Sequence, residues 1–258
     1  MSLSIVEVMG RAEQGMTQPY ICRCDDDEVY FVKGAGAGRR SLINEWLCGN
    51  LAEGFGLPIA PFCVAEVSVE LIEADPSGWL RDLGVGEVFA SRKVLAQELT
   101  MAQVSHINAE KRHDVLMFDW WVRNMDRCLT AHGGNVNLLW QPHTDTRNED
   151  GERVVSGQMT VIDHNLAFDD AFSQEKFCDL HVFSEDLPNL FSDYLRRDTY
   201  EARFRKTLQD TWQIACDNLP PAWNFIDPEQ VVPTNYPFAH VKAILDSALT
   251  STFWTLPS

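Results

Sequence analysis

The sequence lacks any uninterrupted apolar run long enough to cross a bilayer, and its N-terminus lacks the pattern of a secretory signal. Basic residues are also scarce: 21 lysines and arginines stand against 38 aspartates and glutamates, so the formal net charge is −17. A surface this acidic repels the phosphates of nucleic acids and anionic lipids. We therefore expect a protein that neither inserts into membranes nor binds nucleic acid.

Paired cysteines and zinc spacing are missing as well. The seven cysteines are odd in number and scattered, and no second Cys/His pair at zinc spacing accompanies Cys22 and Cys24. We expect reduced thiols, which favours a cytoplasmic protein. The pattern G-x-x-x-x-G-K-[ST] is absent, which excludes a P-loop NTPase, and so is G-x-S-x-G, the nucleophile motif of α/β-hydrolases.

Apolar and aromatic residues are plentiful enough for a large core. Of 258 residues, 45% are hydrophobic, with 8 Trp and 14 Phe, which suits one large domain or two apposed lobes. The first ninety or so residues alternate in a way typical of β-strands. The predicted strands are Ser4–Val8, Pro19–Cys24, Val29–Lys33, Val64–Leu71 and Val88–Arg92.

One helix interrupts the strand-rich part, and helices dominate after it. The spacing of Leu42, Ile43, Trp46, Leu47 and Leu51 predicts a helix over residues 41–55 that Ser41 caps. Later helices are predicted at about 108–122, 174–183, 186–195, 198–218 and 236–249. The polar residues 141–156 indicate a surface loop. The fold class is therefore α+β: a β-rich N-lobe over residues 1–92 and a mainly helical C-lobe over residues 93–258.

The most informative stretch runs from Phe118 to Trp140 and is answered by Met159–Phe168. Asp126 follows an apolar helix end, Asn137 opens the apolar run Leu-Leu-Trp, and the run Met-Thr-Val-Ile ends on Asp163. Two acids and an amide are thus placed at the edges of regular structure. Carboxylate and amide oxygens are ligands that Mg²⁺ accepts, and phosphoryl transfer needs such a cation and an acceptor-facing base.

The strand-rich part supplies a candidate for a positively charged side chain at the nucleotide phosphates. Lys33 ends a strongly β-prone strand, and Glu45 lies in the first turns of the following helix, beside its apolar stripe. A Lys33–Glu45 ion pair would aim the ammonium group at a nucleotide phosphate.

Each of these residues also has a plainer interpretation. Lys33 is alternatively a solvated lysine, Glu45 an acid that the helix dipole favours, and Asp126 half of a surface ion pair with Arg127. Asn137 is alternatively a turn residue, and Asn135 competes with it for the amide role. Asp163-His164-Asn165 is alternatively a loop that binds no ligand.

The motifs NMDR…NVNLLW and VIDHNLAF resemble those of the HipA-like kinases, a bacterial branch of the protein-kinase-like fold related also to phosphatidylinositol 4-kinases. The upstream segments YFVKG, NEWLCGNLAEGFGLPIAP and FASR agree with that family, so the resemblance spans about residues 5–168. It implies a two-lobed protein-kinase-like fold, with residues 1–258 forming a single HipA-like kinase domain.

The resemblance also implies ATP and Mg²⁺ as cofactors and gives each residue a role. Lys33 contacts phosphate with Glu45 as its partner, Asp126 is the catalytic base, and Asn137 and Asp163 bind the metal. The adenine pocket is bordered by Phe89, Ala90, Ser91 and Arg92.

Three departures from ordinary protein kinases qualify this assignment. The loop between Asp126 and Asn137 is longer, and Asp163-His164-Asn165 stands where those kinases have Asp-Phe-Gly, so a switch driven by that Phe is not expected. The turn between Gly10 and Gly15 lacks a full G-x-G-x-x-G.

We expect transfer of the γ-phosphoryl group of ATP to a hydroxyl, in the first instance Ser/Thr of a protein substrate. The alternatives are a nucleotide-binding pseudokinase that acts as an interaction module, and a lipid or small-molecule kinase. The sequence does not indicate an oligomeric state.

Overall fold

In a computed structural model of the chain, which describes residues 3–13, 18–129, 133–143 and 156–257, five strands of the N-terminal part form a closed barrel in the order β1–β2–β3–β5–β4. They are β1 (Leu3–Arg11), β2 (Tyr20–Cys24), β3 (Val29–Lys33), β4 (Phe62–Val67) and β5 (Gly86–Arg92). The pairs β1/β2 and β2/β3 are antiparallel, so the first three predicted strands form two successive hairpins. Parallel pairing of β1 with β4 closes the barrel.

The barrel encloses an apolar core because alternate residues of its strands point inward. On β2 the buried residues are Tyr20, Cys22 and Cys24, and on β3 they include Tyr30 and Val32. The alternation visible in the sequence therefore does mark the inner face. All seven cysteines of the chain are free thiols.

The first helix, α1 (Arg39–Phe55), begins two residues earlier than predicted. Ser41 consequently lies inside the first turn, and its predicted role as N-cap is wrong. The helix ends before Gly56, whose φ of 88° is the left-handed conformation that favours glycine after a helix.

The predicted strand over Val64–Leu71 is wrong in its second half. β4 stops at Val67, and α2 (Val69–Glu73) follows it. Ser68 caps α2, since its side chain accepts a hydrogen bond from the backbone N–H of Leu71 at 3.2 Å. The apolar residues Val69 and Leu71 fit a strand by spacing, but the cap takes them into a helix.

The remaining part is mainly helical. Its helices are α3 (Met101–Val104), α4 (Ala109–Val122), α5 (Gln174–Leu180), α6 (Leu187–Ser192), α7 (Tyr194–Asp217) and α8 (Phe238–Asp246). Asn108 caps α4 by accepting the N–H of Glu110 at 2.8 Å. The predicted helices at 174–183, 186–195, 198–218 and 236–249 are present, with bounds that differ by at most four residues.

A small sheet accompanies these helices. It has the order β6–β7–β8, formed by β6 (Gln97–Glu98), β7 (Leu138–His143) and β8 (Ser156–Val161). Residues 141–143 and Ser156 were expected to be loop but extend β7 and β8; the residues between them lie outside the described part of the chain. Gly15, in the predicted nucleotide-covering turn, lies outside it too.

By its contacts the chain divides into two compact units. One comprises Met1–Gly49, Ala60–Val94 and Ala215–Tyr236, and the other Asn50–Ile59, Leu95–Ile214 and Pro237–Ser258. The strand-rich N-terminal region and the mainly helical C-terminal part confirm the α+β class. Within the described ranges, no helix is both long and apolar enough to cross a membrane.

Candidate functional site

Lys33 and Glu45 form a buried ion pair within the strand-rich unit. The Lys33 Nζ atom lies 2.5 Å from Glu45 Oε1, and the two residues are only 6% and 3% exposed. The interpretation of Lys33 as a solvated lysine is therefore wrong, and the predicted pair is present. Burial of such a pair is unfavourable unless its geometry is good, because both charges lose their hydration.

Strand β5 places residues 89–92 beside the strand that carries Lys33. In the β3/β5 ladder Lys33 is opposite Phe89, and Val32 is opposite Ala90. Phe89 and Ala90 are buried, whereas Ser91 and Arg92 are half-buried, and Arg92 forms an ion pair with Glu28. The backbone near Phe89 thus lies next to the lysine, and the adenine-bordering role of residues 89–92 stays a prediction.

Asp126 is held by two amide side chains within the other unit. Its Oδ2 atom accepts a hydrogen bond from Asn135 Nδ2 at 2.8 Å and another from Asn137 Nδ2 at 3.0 Å. The backbone N–H of Asp126 donates to Asn124 Oδ1 at 3.2 Å. The long loop between Asp126 and Asn137 therefore returns both asparagines to the carboxylate.

The pKa of Asp126 is raised above its ordinary value. Partial burial is the main cause, the two asparagine hydrogen bonds oppose it, and the negative charge of Asp163 raises the pKa further. Because Asp163 acts on Asp126 electrostatically, the two carboxylates are neighbours.

The β7/β8 ladder explains how Asn137 and Asp163 come together. Leu138 of β7 is opposite Val161 of β8, so Asn137 lies across from Ile162, one residue before Asp163. The Ile162 N–H donates to the Asn137 carbonyl oxygen at 3.1 Å. Two residues 26 positions apart in sequence are thereby fixed at one end of a hairpin.

Asn137 and Asp163 both have left-handed backbones, with φ of 48° and 55°. Among residues other than glycine, Asn and Asp tolerate this conformation best, and strained residues cluster at functional sites. Asn137 is 7% exposed, whereas Asn135 is exposed. The backbone conformation and the burial both distinguish Asn137 from Asn135, which favours Asn137 for the amide role.

Arg127 is buried directly beneath this cluster. It is 0% exposed, and its Nη1 group donates to the carbonyl oxygens of Asn137 at 2.6 Å and of Ile162 at 3.2 Å. Its Nε and Nη2 groups donate to the two carboxylate oxygens of Asp119 at 2.6 and 3.3 Å. The alternative of an Asp126–Arg127 surface pair is therefore wrong: the arginine braces the loops that carry Asn137 and Asp163.

Asp119 connects this brace to two further residues. His181 Nε2 lies 3.0 Å from Asp119 Oδ2, and Asn124 Nδ2 donates to Asp119 Oδ1 at 3.0 Å. Burial alone would raise the pKa of Asp119, but Arg127 and His181 together lower it to about 2. The group is therefore a carboxylate at neutral pH.

His181 is neutral in this network. Burial lowers its pKa more than the Asp119 carboxylate raises it. Its Nδ1 atom accepts the N–H of Phe183 at 3.2 Å, so the ring proton must be on Nε2, which donates to Asp119.

Sequence reasoning missed Arg127, Asp119, Asn124 and His181 as site-building residues. One signal was available, because Asp119 stands inside the apolar run of α4 between Phe118 and Trp120. A charge at such a position is either paired or neutralised. No local signal distinguishes His181, which is 62 residues from Asp119.

The oxygen atoms of the cluster suit a hard divalent cation. Asn137 donates through Nδ2 to the carbonyl oxygen and Oδ2 of Asp126, so Oδ1 is the atom with which it could bind a cation, and Asp163 adds a carboxylate. Among the described residues no three His, Cys, Asp or Glu side chains form a group that could hold a metal. Asn137 Oδ1 and the Asp163 carboxylate suit Mg²⁺, which commonly takes one or two protein oxygens and completes its shell with water and phosphate.

A family model described as HipA-like kinase matches residues 5–257. No curated protein matches the sequence. Among solved structures, the Rio2 kinase–ADP/Mg²⁺–phosphoaspartate complex from Chaetomium thermophilum matches at 12% identity and a TM-score of 0.39, covering 95% of this chain and 68% of that one.

The family model extends over nearly the whole described chain, including the C-terminal helices that carry no recognisable motif. It also covers both the Lys33–Glu45 pair and the cluster around Asp126. The chain belongs to the HipA-like kinase family and has a protein-kinase-like fold.

Proposed function

We propose that this protein transfers the γ-phosphoryl group of ATP, with Mg²⁺, to the hydroxyl group of a Ser or Thr residue in a protein substrate. The proposal includes a single HipA-like kinase domain over residues 1–258, with lobes at 1–92 and 93–258, and a cytoplasmic location. An acidic surface supports a partner other than nucleic acid.

The observation that carries the proposal is the cluster of Asp126, Asn137 and Asp163. An acid with a raised pKa lies beside an amide and a second acid, and the last two occupy strained backbone positions. Phosphoryl transfer uses a proton-accepting carboxylate beside oxygen atoms that can bind Mg²⁺, and this cluster supplies both.

The residues of the chain would divide the work as follows. The Asp126 carboxylate accepts the proton of the acceptor hydroxyl, and its two amide donors on Oδ2 orient it so that Oδ1 faces the acceptor. Lys33, aimed by Glu45, neutralises nucleotide phosphate charge. Bound through Asn137 Oδ1 and Asp163, Mg²⁺ would offset the negative charge of the phosphates.

Nucleotide binding tests the metal-site assignment. MgATP should raise the melting temperature of the wild type, and Asp163→Ala should abolish most of that shift. Asp163→Asn is the sharper variant, because Asn also tolerates the left-handed backbone and only the charge is lost. Equal shifts in the wild type and both variants would contradict a metal-binding role for Asp163.

Phosphoryl transfer tests the role of Asp126 separately. Asp126→Asn, like Asp126→Ala, should retain the MgATP-induced shift but lose transfer by about 100-fold or more, since the proton acceptor is gone. The Asn side chain keeps an oxygen for the amide donors, so loss of structure would not explain that result. Undiminished transfer in either variant would remove Asp126 from the base role.

Mass spectrometry of the protein after incubation with MgATP and candidate acceptors measures that transfer directly. An added phosphate on a Ser or Thr supports the protein-kinase assignment. Nucleotide binding without transfer to any acceptor would favour the pseudokinase alternative instead. Transfer only to a lipid or small molecule would contradict the proposed acceptor class.

A further inference from the structure

The segment Ala215–Tyr236 returns to the strand-rich unit from far along the chain and packs against helix α1. This segment belongs to the same compact unit as the Lys33–Glu45 pair. Within it, a short 3₁₀ helix (Pro221–Asn224) carries Trp223, which is fully buried. We call residues 215–236 the strap.

Three hydrogen bonds tie side chains of α1 to the strap. Arg39 Nε donates to the Phe225 carbonyl oxygen at 3.0 Å, and Trp46 Nε1 donates to the Ala215 carbonyl oxygen at 2.8 Å. The Tyr236 hydroxyl donates to Asn44 Oδ1 at 2.7 Å. Trp46 is seven positions after Arg39, so the attachment points on α1 extend over about 10 Å of the helix axis.

Two of these attachments flank Glu45. Asn44 and Trp46 are its immediate neighbours, and successive helical residues leave the axis about 100° apart. Contacts of Asn44 and Trp46 with the strap therefore limit rotation of α1 in both directions. The two attachments therefore support the orientation of α1 in which Glu45 lies 2.5 Å from Lys33.

The strap is itself anchored away from α1. Trp223 Nε1 donates to the Glu87 carbonyl oxygen on β5 at 2.9 Å. Thr234 Oγ1 donates to the Trp223 carbonyl oxygen at 2.8 Å. The Thr234 N–H donates to the Asn224 carbonyl oxygen at 2.7 Å. Because the strap is fixed to the barrel strand β5, it can hold α1 in place rather than move with the helix.

We propose that the strap is a positioning element that holds Glu45 against Lys33 and thereby sets the affinity for MgATP, with Tyr236 and Trp46 as its positioning residues. This inference rests on the proposed function, since it assigns Lys33 to the nucleotide phosphates. Neither Tyr236 nor Trp46 touches the nucleotide in this scheme; each acts through Glu45.

Conservative variants test the strap without opening the core. Tyr236→Phe removes only the hydroxyl, and Trp46→Phe removes only the indole donor while keeping an aromatic ring near Phe62. Each should weaken MgATP binding, measured by calorimetry, by about three- to tenfold, the range expected for one lost hydrogen bond. Tyr30→Phe is the matched control: it also loses a 2.7 Å hydrogen bond from a buried tyrosine to a side-chain oxygen, but that oxygen belongs to Asp26, which lies outside α1. Its affinity should remain within twofold of the wild type.

A double-mutant cycle distinguishes positioning from a general structural role. If Tyr236 acts through Glu45, Tyr236→Phe should have no further effect on MgATP affinity in a Glu45→Gln background. The same fold loss in both backgrounds, or no loss in the single variants, would overturn the proposal.

Hydrogen exchange of the nucleotide-free protein keeps the test independent of the proposed function. Amides of residues 43–48 in α1 should exchange about fivefold faster in Tyr236→Phe than in the wild type or Tyr30→Phe. Unchanged exchange would refute the strap even if ATP binds. Faster exchange in a protein that binds no MgATP would refute the assigned effect on affinity together with the proposed function, and would leave only the tie between strap and helix.

Discussion

At the scale of single residues, Arg127 shows why neighbours in sequence need not share a role. Asp126 points its carboxylate at two amides, whereas the next side chain runs into the interior and uses three of its nitrogens on Asp119, Asn137 and Ile162. A planar guanidinium can satisfy a carboxylate and two carbonyl groups at once, which an ammonium group cannot. The position therefore requires arginine and not just a positive charge.

Arg127→Lys should lower the free energy of unfolding by about 3 kcal/mol, because part of a buried ion pair and at least one carbonyl contact are lost. Denaturant titration measures this change. The control is Arg205→Lys at an exposed pair with Glu201, where less than about 0.5 kcal/mol is expected. Similar small losses in both variants would show that Arg127 does not brace the loops.

His181 makes the stability of the same network depend on pH. Because its pKa is lowered in the folded state, the unfolded chain binds more protons as the pH falls below about 6.5. The free energy of unfolding should therefore fall between pH 7.5 and pH 5, and the contribution of His181 is fully present only above its unfolded pKa.

His181→Gln keeps a side-chain donor for Asp119 but cannot titrate. Denaturant titrations at pH 7.5, 6.5 and 5.5 should give it a shallower pH dependence than the wild type, with pH 8 as the common reference. An equally steep dependence in the variant would exclude His181 as the titrating group.

At the scale of elements, the β7/β8 hairpin does the work of bringing Asn137 and Asp163 together. Its register is set by apolar residues that alternate along both strands, and a slip of one residue would turn each side chain to the other face. Helix α4 contributes from the opposite direction. It ends at Arg123 in a left-handed conformation, after which the chain turns and presents Asp126.

Helix α1 illustrates an element that is not stabilised by an amphipathic stripe alone. Residues 42–45 and 47–49 are all buried, so most sides of this part of the helix are shielded from solvent. One side carries Glu45 to Lys33, and others meet the strap. A helix with a single apolar face would leave Asn44 in solvent, whereas here it is 3% exposed and hydrogen-bonded.

At the scale of the whole molecule, the net charge of −17 opposes the folded state through self-repulsion. Ionic strength screens that repulsion, with a Debye length of about 30 Å at 0.01 M and about 8 Å at 0.15 M. The melting temperature should therefore rise by a few degrees between 10 mM and 150 mM KCl at pH 7.5. Scanning calorimetry measures this shift, and NaCl should give the same one because screening does not depend on the monovalent ion. A fall in melting temperature would mean that surface ion pairs dominate over net repulsion.

Much of the fold was predictable because it follows from local patterns. Strand β3 ends at Lys33 as predicted, and α4 lies within one residue of its predicted bounds, since alternation and helical spacing are properties of neighbouring residues. The errors at Ser41 and at residues 69–71 are of the same local kind. In both places the prediction missed the start of a helix, which is Arg39 for α1 and Val69 for α2. The spacing of apolar residues does not by itself reveal where a helix begins.

The sequence by itself determined the α+β class, the order of the chemical groups and the family, because these depend on residue types and their spacing. Only the tertiary structure decided that burial and the charge of Asp163 raise the pKa of Asp126. It alone also decided that Arg127 faces inward to Asp119 and that His181 contacts the same carboxylate. It also decided that residues 215–236 hold the helix of Glu45. The physical reason is that these contacts join segments with no periodic relation in the sequence, such as His181 and Asp119, 62 residues apart, or Tyr236 and Asn44, 192 residues apart. Burial and electrostatics are set only where such segments meet.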